Sequence, residues 1–512
     1  MSGLPSPGEA VAASAELEPR LDPLSCYAAL TDDGTRTDTM LFEQAGGPTL
    51  LLDRAAVRAE CRGQEVRLIA LSANGQTLLD MVGAALPDRV ARRVMGCLTL
   101  HFPKAQGTDA EARLRAPSPF DALRAITSIA LRSPGEPFAL LALGILAYDH
   151  VDLFEDLPPP AADPLAFPDY RFWIPESLIL FEKDQPPRAI AVAFGGSSPS
   201  DGVAARAEAE QRLRALVQAC ARLEARFEAP VPGTPPRCDV DLDDTAYRTV
   251  VDRMKGHIKA GEVYQIVPSR TFSAPCAAPL AAYAALRTVE RASYSYFAAM
   301  EKLQLLGASP ETAVRVFGEA SGFTVEVKPI AGTRPRGASP DEDDRLEAEL
   351  RLDAKELAEH MMLVDLARND VARISVPGTR RLAGLMSVER YAKVMHLVSR
   401  VVGKLRPGLD AYDVLKACLN VGTLTGAPKI RAMQLLRQAE ATKRGPYGGA
   451  IGWIRGDGVM DSAVVIRTAL VRDGTAFVRA GAGIVHESDP QAEANETCRK
   501  ASALLSVLGA GR

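Results

Sequence analysis

The sequence predicts an α+β fold, a large composite of antiparallel β-sheets flanked by helices, and three observations predict it. Strand-like segments such as EVRLIALSA (65–73) and SLILFEKD (177–184) recur through the first half. The run SAVVIRTALVRDGTAFVRAGAGIV (462–485) reads as a hairpin turning at Asp473-Gly474. Amphipathic helices stand in blocks apart from these strands instead of alternating with them, which argues against a doubly wound α/β sheet. At 512 residues the chain exceeds one ordinary core, so two domains or one composite domain are expected.

In chain order, residues 1–22 are Ala/Pro/Ser/Glu-rich and expected to be disordered. Residues 23–230 form an N-terminal regulatory or structural region, closed by a long helix over 201–229. PVPGTPPRCD (230–239) breaks every regular pattern and reads as the linker to a catalytic region, 240–512. There, Leu357, Met361, Val364 and Ala367 predict a helix over 353–370 capped by Asp353. Asp489 caps a second helix over 489–508, with Pro490 in its first turn.

Lys+Arg 60 against Asp+Glu 64 leaves a charge of −4, which offers no basic footprint for nucleic acid or an anionic membrane. FALLALGILAY (138–148) is too short to span a bilayer, and the N-terminus lacks a signal-peptide pattern. Eight scattered cysteines without CxxC pairs read as free thiols in a reducing compartment, so a cytoplasmic enzyme is expected.

The two helices each carry a line of polar residues: Glu356 and Glu359 on one, Glu493, Glu496 and Lys500 on the other. Solvated ion pairs, Lys355–Glu359 and Glu496–Lys500, account for these spacings, as does a Mg²⁺ site built of carboxylates from both helices. In NVGTLTGAPKIRAMQLLRQ (420–438), glycine turns precede Pro428 at a helix start, where amide groups could hold a carboxylate. Gly481 and Gly483 permit close backbone approach to a ligand, or mark a strand-end bulge. Arg467 lies inside an apolar strand, so either a buried ion pair or a ligand carboxylate must answer its charge. His396, among apolar residues, fits a hydrogen-bonded core histidine or a catalytic one.

Together these pieces resemble the chorismate-utilising enzymes, most closely the anthranilate synthase component I family. The matching stretches are AGEVYQIVPSR (260–270), GASPET (307–312), PIAGTRPRG (329–337), ELAEHMMLVDLARND (356–370), VMHLVSRVVGKL (394–405), VGTLTGAPKIRAMQLL (421–436), GPYGGAIGW (445–453) and GAGIVHESDPQAEANET (481–497). The resemblance implies the aminating reaction that opens tryptophan biosynthesis: chorismate and ammonia giving anthranilate and pyruvate.

The resemblance also implies roles. Glu359 and Glu496 would ligate Mg²⁺, with Glu356 and Glu493 as further ligands or supporting carboxylates, and Lys500 near the ring carboxylate. Tyr447, Arg467 and the backbone of Gly481, Ala482 and Gly483 would hold the enolpyruvyl carboxylate. Glu311 would be the general acid for the leaving C4 hydroxyl, and His396 would assist pyruvate elimination. Gly332, Thr333, Thr423 and Gly426 would wall the pocket. Burial beside a proline would raise the Glu311 pKa.

Two positions select the nucleophile. Water-using members carry lysine where this chain has Gln265, and an amide has no basic pKa with which to deprotonate water. Aminodeoxychorismate synthases show an attacking lysine in the turn that here reads Ala331-Gly332-Thr333; Ala331 removes that amine and leaves room for ammonia. No cysteine sits in a Gly-x-Cys-x-Gly elbow, so the resemblance implies a separate glutamine amidotransferase subunit and a hetero-oligomer. Aminodeoxyisochorismate synthesis and a non-catalytic regulatory role are the rival readings.

Relatives inhibited by L-tryptophan bind it through LLES and NPSPYMF motifs. Here the first reads LLDR, with Asp53 and Arg54, and the second reads ERASYSY (290–296), placing Glu290, Arg291, Ser293, Tyr294 and Ser295 in the pocket. An Arg54–Glu290 ion pair filling an altered pocket, with weakened inhibition, is expected.

Overall fold

The structure is a computed structural model that describes residues 8–510 apart from 106–108, 134, 160–161, 197–198, 224–226, 228–229, 231–232, 321 and 391–393. Two long neighbouring strands, Thr49–Arg62 and Tyr170–Phe181, organise it, because each takes part in two sheets. The first half of the 49–62 strand pairs with Thr39–Gln44, and its second half pairs with Glu65–Ala70. Three register irregularities between Leu52 and Val57 mark the crossover, a usual way for a strand to bend from one sheet to another. The strand of 170–181 is buried through Leu180, and the two charges inside it are answered by ion pairs, Arg171 with Glu60 and Glu176 with Arg212.

From this pair, one sheet runs outward through 39–44, 294–300, 303–309, 468–472, 475–481 and 269–275. The other runs through 141–146, 450–455, 460–464, 312–319, 322–327 and 394–404. The ladders between these strands are antiparallel, as the α+β reading expects. Strands from before and after the 230–239 segment lie side by side in both sheets, so the N-terminal and catalytic regions share one framework. One core takes side chains from both sheets, including Phe42, Tyr170, Trp173, Leu305 and Trp453. A second core packs the helices Pro279–Val289 and Pro490–Val507 against Val471, Ala476 and Val478.

Several local expectations differ from the structure. Residues Ala10–Glu16, expected to be disordered, form a strand paired with Arg188–Phe194, whose apolar residues need a covering neighbour. The 201–229 helix spans Pro199–Ala221, and 224–226 and 228–229 fall outside the described residues. Arg467 is not inside a strand: the ladder stops at Val464 and resumes at Thr468, with Arg467 at φ +48° in the break. Ala331-Gly332-Thr333 is a bulged strand, not a turn, with Gly332 at φ +74° as the irregular residue. The hairpin forms as expected, with Asp473 and Gly474 both at positive φ.

Candidate active site

The two acidic helices are Ala354–Ile374 and Pro490–Val507, and Asp353 and Asp489 cap them as their sequences predict. Asp353 accepts from the amides of Lys355 and Glu356, which fixes the first turn beneath Glu356 and Glu359. Glu359 is not paired with Lys355; its Oε1 accepts a 2.9 Å hydrogen bond from Gln265 Nε2. Gln265 lies on a two-residue strand paired with Gly426–Ala427. Gly426, at φ +129°, makes that pairing possible, since a Cβ there would lie 2.2 Å from the Gln265 carbonyl. Gly483 closes the same spot: a Cβ there would lie 2.6 Å from Gln265 Nε2 and 3.7 Å from Glu359 Oε1.

On the second helix, Lys500 Nζ donates to Glu496 Oε1 at 2.8 Å and to the Gly481 carbonyl at 3.0 Å. Burial alone would lower the Lys500 pKa, but Glu496, with Tyr447 and Glu359, raises it, so the ammonium stays charged. Glu356, Glu359 and Glu493 are pushed upward, first by burial and then by neighbouring carboxylates. Glu496 feels the repulsion of burial too, yet Lys500 holds it below the usual range. Glu356 and Glu493 each sense Glu496, so the carboxylates of the two helices converge. Among the described residues, no three carboxylate, imidazole or thiol groups form a ready-made metal cage. Convergent carboxylates that raise one another's pKa still suit Mg²⁺, which binds through one or two carboxylates and completes its shell with water or substrate oxygens.

Glu311 is buried just before the strand Thr312–Glu319, and Thr423 Oγ1 donates to its Oε1 at 2.7 Å. Burial pushes its pKa up to about 7, against the pull of Thr423 and Lys500. His396 stands opposite Thr333 in the bulged pairing; its Nδ1 shares a 3.0 Å hydrogen bond with Thr333 Oγ1 and lies 3.3 Å from the Gly332 carbonyl. Burial lowers the His396 pKa, the Gly332 carbonyl opposes this, and Arg467 adds to it. A carbonyl can only accept, so Nδ1 carries the proton and Nε2 is the basic nitrogen of a neutral ring. Gly332 also faces the first acidic helix, since a Cβ on it would lie 3.3 Å from Glu356 Oε2. Ala331 is half-buried opposite Leu397. Tyr447 is buried with its hydroxyl toward Gly481, and burial raises its pKa. Ala482 is fully buried behind it.

The sequence reading missed Arg444, buried under Tyr447 with its guanidinium 5.7 Å from that ring. It is held by Glu440, which also accepts from the Ser269 amide and pairs with Arg479. The i,i+4 spacing of Glu440 and Arg444 was the available signal.

The tryptophan-pocket expectation is corrected in its ion pair. Glu290 Oε1 contacts Arg467 Nη1, whereas Arg54 is exposed and, among the described residues, pairs with no carboxylate. Arg54 sits at the strand bulge, where its side chain turns to solvent, and Asp53 beside it is buried, accepting from Ser177 Oγ at 2.7 Å. The two motifs are nonetheless neighbours, because 39–44 pairs with both 49–62 and 294–300. Tyr294 is buried and donates to Asp461 Oδ1 at 2.8 Å, Ser293 and Ser295 are half-buried, and Arg291 is exposed.

This fold and its carboxylate-rich site define a chorismate-binding enzyme: the chain belongs to the chorismate binding enzyme family, which matches residues 95–506. Within it, the chain belongs with the anthranilate synthase component 1 proteins. It is 45% identical to that of Vibrio cholerae serotype O1 over 96% of this chain and 95% of the relative. It is 41% identical to that of Escherichia coli K12 over 96% and 97% of the two chains. The crystal structure of anthranilate synthase component I from Streptococcus pneumoniae superposes with a TM-score of 0.67 at 29% identity, covering 90% of this chain and 93% of the other.

Proposed function

We propose that this chain is the aminating component of an anthranilate synthase, converting chorismate and ammonia to anthranilate, pyruvate and water at the start of tryptophan biosynthesis. The observation that carries this reading is the Gln265–Glu359 hydrogen bond: an amide, not an amine, stands beside the acidic helix, so the site holds no base for activating water there. Ammonia brings its own lone pair. Half-buried Ala331 presents no amine on the 330–335 strand to compete with ammonia.

Glu359 and Glu496 would hold Mg²⁺, with Glu356 and Glu493 beside them, and the ion would supply positive charge for the ring carboxylate of chorismate. Lys500 adds a fixed ammonium at the same end, and Arg467 and Tyr447 receive the enolpyruvyl carboxylate. Glu311, with a pKa near 7, delivers a proton to the C4 hydroxyl oxygen as ammonia adds at C2 and water departs. The neutral His396 ring then accepts the C2 proton at Nε2 as the C3–O bond breaks and the ring becomes aromatic, and the enolpyruvate released takes up a proton at its methylene carbon to become pyruvate. The eight cysteines are free thiols with no glutaminase elbow around any of them, so a glutamine amidotransferase subunit supplies ammonia to the chain in a cytoplasmic hetero-oligomer.

Incubating the chain with chorismate, Mg²⁺ and ammonium, and identifying the product by mass and fluorescence, tests this reading. Anthranilate and pyruvate in equal amounts are expected; isochorismate or a non-aromatic amino product rejects it.

A further inference from the structure

The charge of Arg467 is answered in this chain by Glu290, a residue of the altered tryptophan-binding segment that none of the catalytic or substrate-binding roles above uses. Glu290 closes the helix Pro279–Val289, and its amide donates to the Leu286 carbonyl at 2.8 Å. A carboxylate at that end meets the negative pole of the helix, a poor location without a counter-charge. Arg467 is that counter-charge. Its backbone is held in place, with φ +48° and its carbonyl accepting from the Ala308 amide at 3.1 Å, so only the side chain can exchange partners. The same guanidinium is close enough to His396 to lower the pKa of the imidazole. Both side chains keep contact with solvent, at 32% for Arg467 and 20% for Glu290, so the pair can open without stranding a buried charge.

We propose that Glu290 is a built-in competitor for the acidic substrate: it occupies the guanidinium that a substrate carboxylate needs and so sets the substrate concentration at which the site fills. The inference rests on the reading of Arg467 as the receptor of a substrate carboxylate. Pairing is an exchange of one carboxylate for another on Arg467, with no covalent step.

Steady-state kinetics of the full chain with chorismate, Mg²⁺ and ammonium test it. Glu290→Gln keeps the shape and removes the charge; KM for chorismate should fall about three- to fivefold, the range of a solvent-accessible pair, with kcat within about twofold of wild type. Glu290→Ser should act in the same direction, which keeps the test decisive if one variant folds poorly by circular dichroism. Arg467→Gln should raise KM at least about tenfold, and Glu290→Gln should bring no further gain in that background. If Arg467→Gln raises KM while both Glu290 variants leave it unchanged or raise it, or lower kcat alone, the competitor role is overturned and the Arg467 reading stands. A wild-type KM in Arg467→Gln overturns both.

Discussion

Gln265 Nε2 donates to Glu359 Oε1 at 2.9 Å, tying the residue proposed to choose the nucleophile to a residue of the first acidic helix. Gln265 is buried, and its own Oε1 has no hydrogen-bond partner among the described residues. Replacing it changes both charge and basicity beside Glu359. Gln265→Lys should cut ammonia-dependent anthranilate formation by about 10²-fold and introduce a water-addition product detectable by mass, since a general base contributes on that scale. Unchanged anthranilate output would remove Gln265 from the choice of nucleophile.

As the proposed general acid, Glu311 would set the pH dependence. Its folded pKa lies at about 7, raised by burial from 4.5, so the proton needed for C4 departure is held below about pH 7 and lost above it. The rate with ammonia at saturating chorismate should therefore carry a descending limb as pH rises through about 7. Correction for the ammonia/ammonium equilibrium is needed to expose it. Stability follows the same sign: a raised carboxyl pKa contributes stability fully below the unfolded pKa, and that contribution is lost as pH rises through about 7. Glu311→Gln should lower kcat by about 10²- to 10⁴-fold, and a pH profile still descending near 7 in that variant would assign the limb to another group.

The sequence records local features and hides distant ones. Helix caps at Asp353 and Asp489 and the turn at Asp473-Gly474 are local signals, and each formed where expected. The strand partnerships were hidden. Segments 39–44 and 294–300 pair across most of the N-terminal half, and no local pattern records which distant strand covers an apolar face. The strand of 10–16 was hidden by a composition that mimics disorder. Apolar neighbours on both sides make Arg467 look like part of a strand, whereas in the fold it stands at positive φ with its carbonyl accepting from the Ala308 amide, a partner no local pattern records. Aligned motifs pair Arg54 with Glu290, whereas the bulge at Asp53–Arg54 turns Arg54 outward and leaves Glu290 to Arg467.

The altered motifs predict weak feedback control. Tyr294 is committed to Asp461, Asp53 to Ser177, and Glu290 to Arg467, so the segments that bind tryptophan in inhibited relatives have their polar groups engaged elsewhere. Anthranilate formation measured over a tryptophan titration should hold at least about half its rate at 1 mM tryptophan, since 1 mM corresponds to only about 4 kcal/mol of binding. Inhibition at micromolar concentrations would show that the repacked segments still form a pocket.

The converging glutamates carry the last prediction. Lys500 bonds Glu496 and acts on Glu359, so the two helices meet around one ammonium and several like-charged carboxylates. On the proposed reading a divalent cation would relieve that repulsion, so Mg²⁺ would act as a folding ligand as well as serve the reaction. Adding Mg²⁺ to the wild-type chain without substrate should raise its melting temperature, because a ligand at about 100 times its Kd stabilises the folded state by about 2.7 kcal/mol. Glu359→Gln and Glu496→Gln should each shift the Mg²⁺ concentration for half-maximal protection upward by at least about tenfold, the double substitution should abolish protection, and both singles should lose most of their anthranilate formation. Glu359→Gln removes a buried carboxylate that its surroundings disfavour, so its metal-free melting temperature should rise or hold, whereas Glu496→Gln takes the ion-pair partner from Lys500 and should lower it. A double variant that keeps wild-type Mg²⁺ protection would place the ion elsewhere.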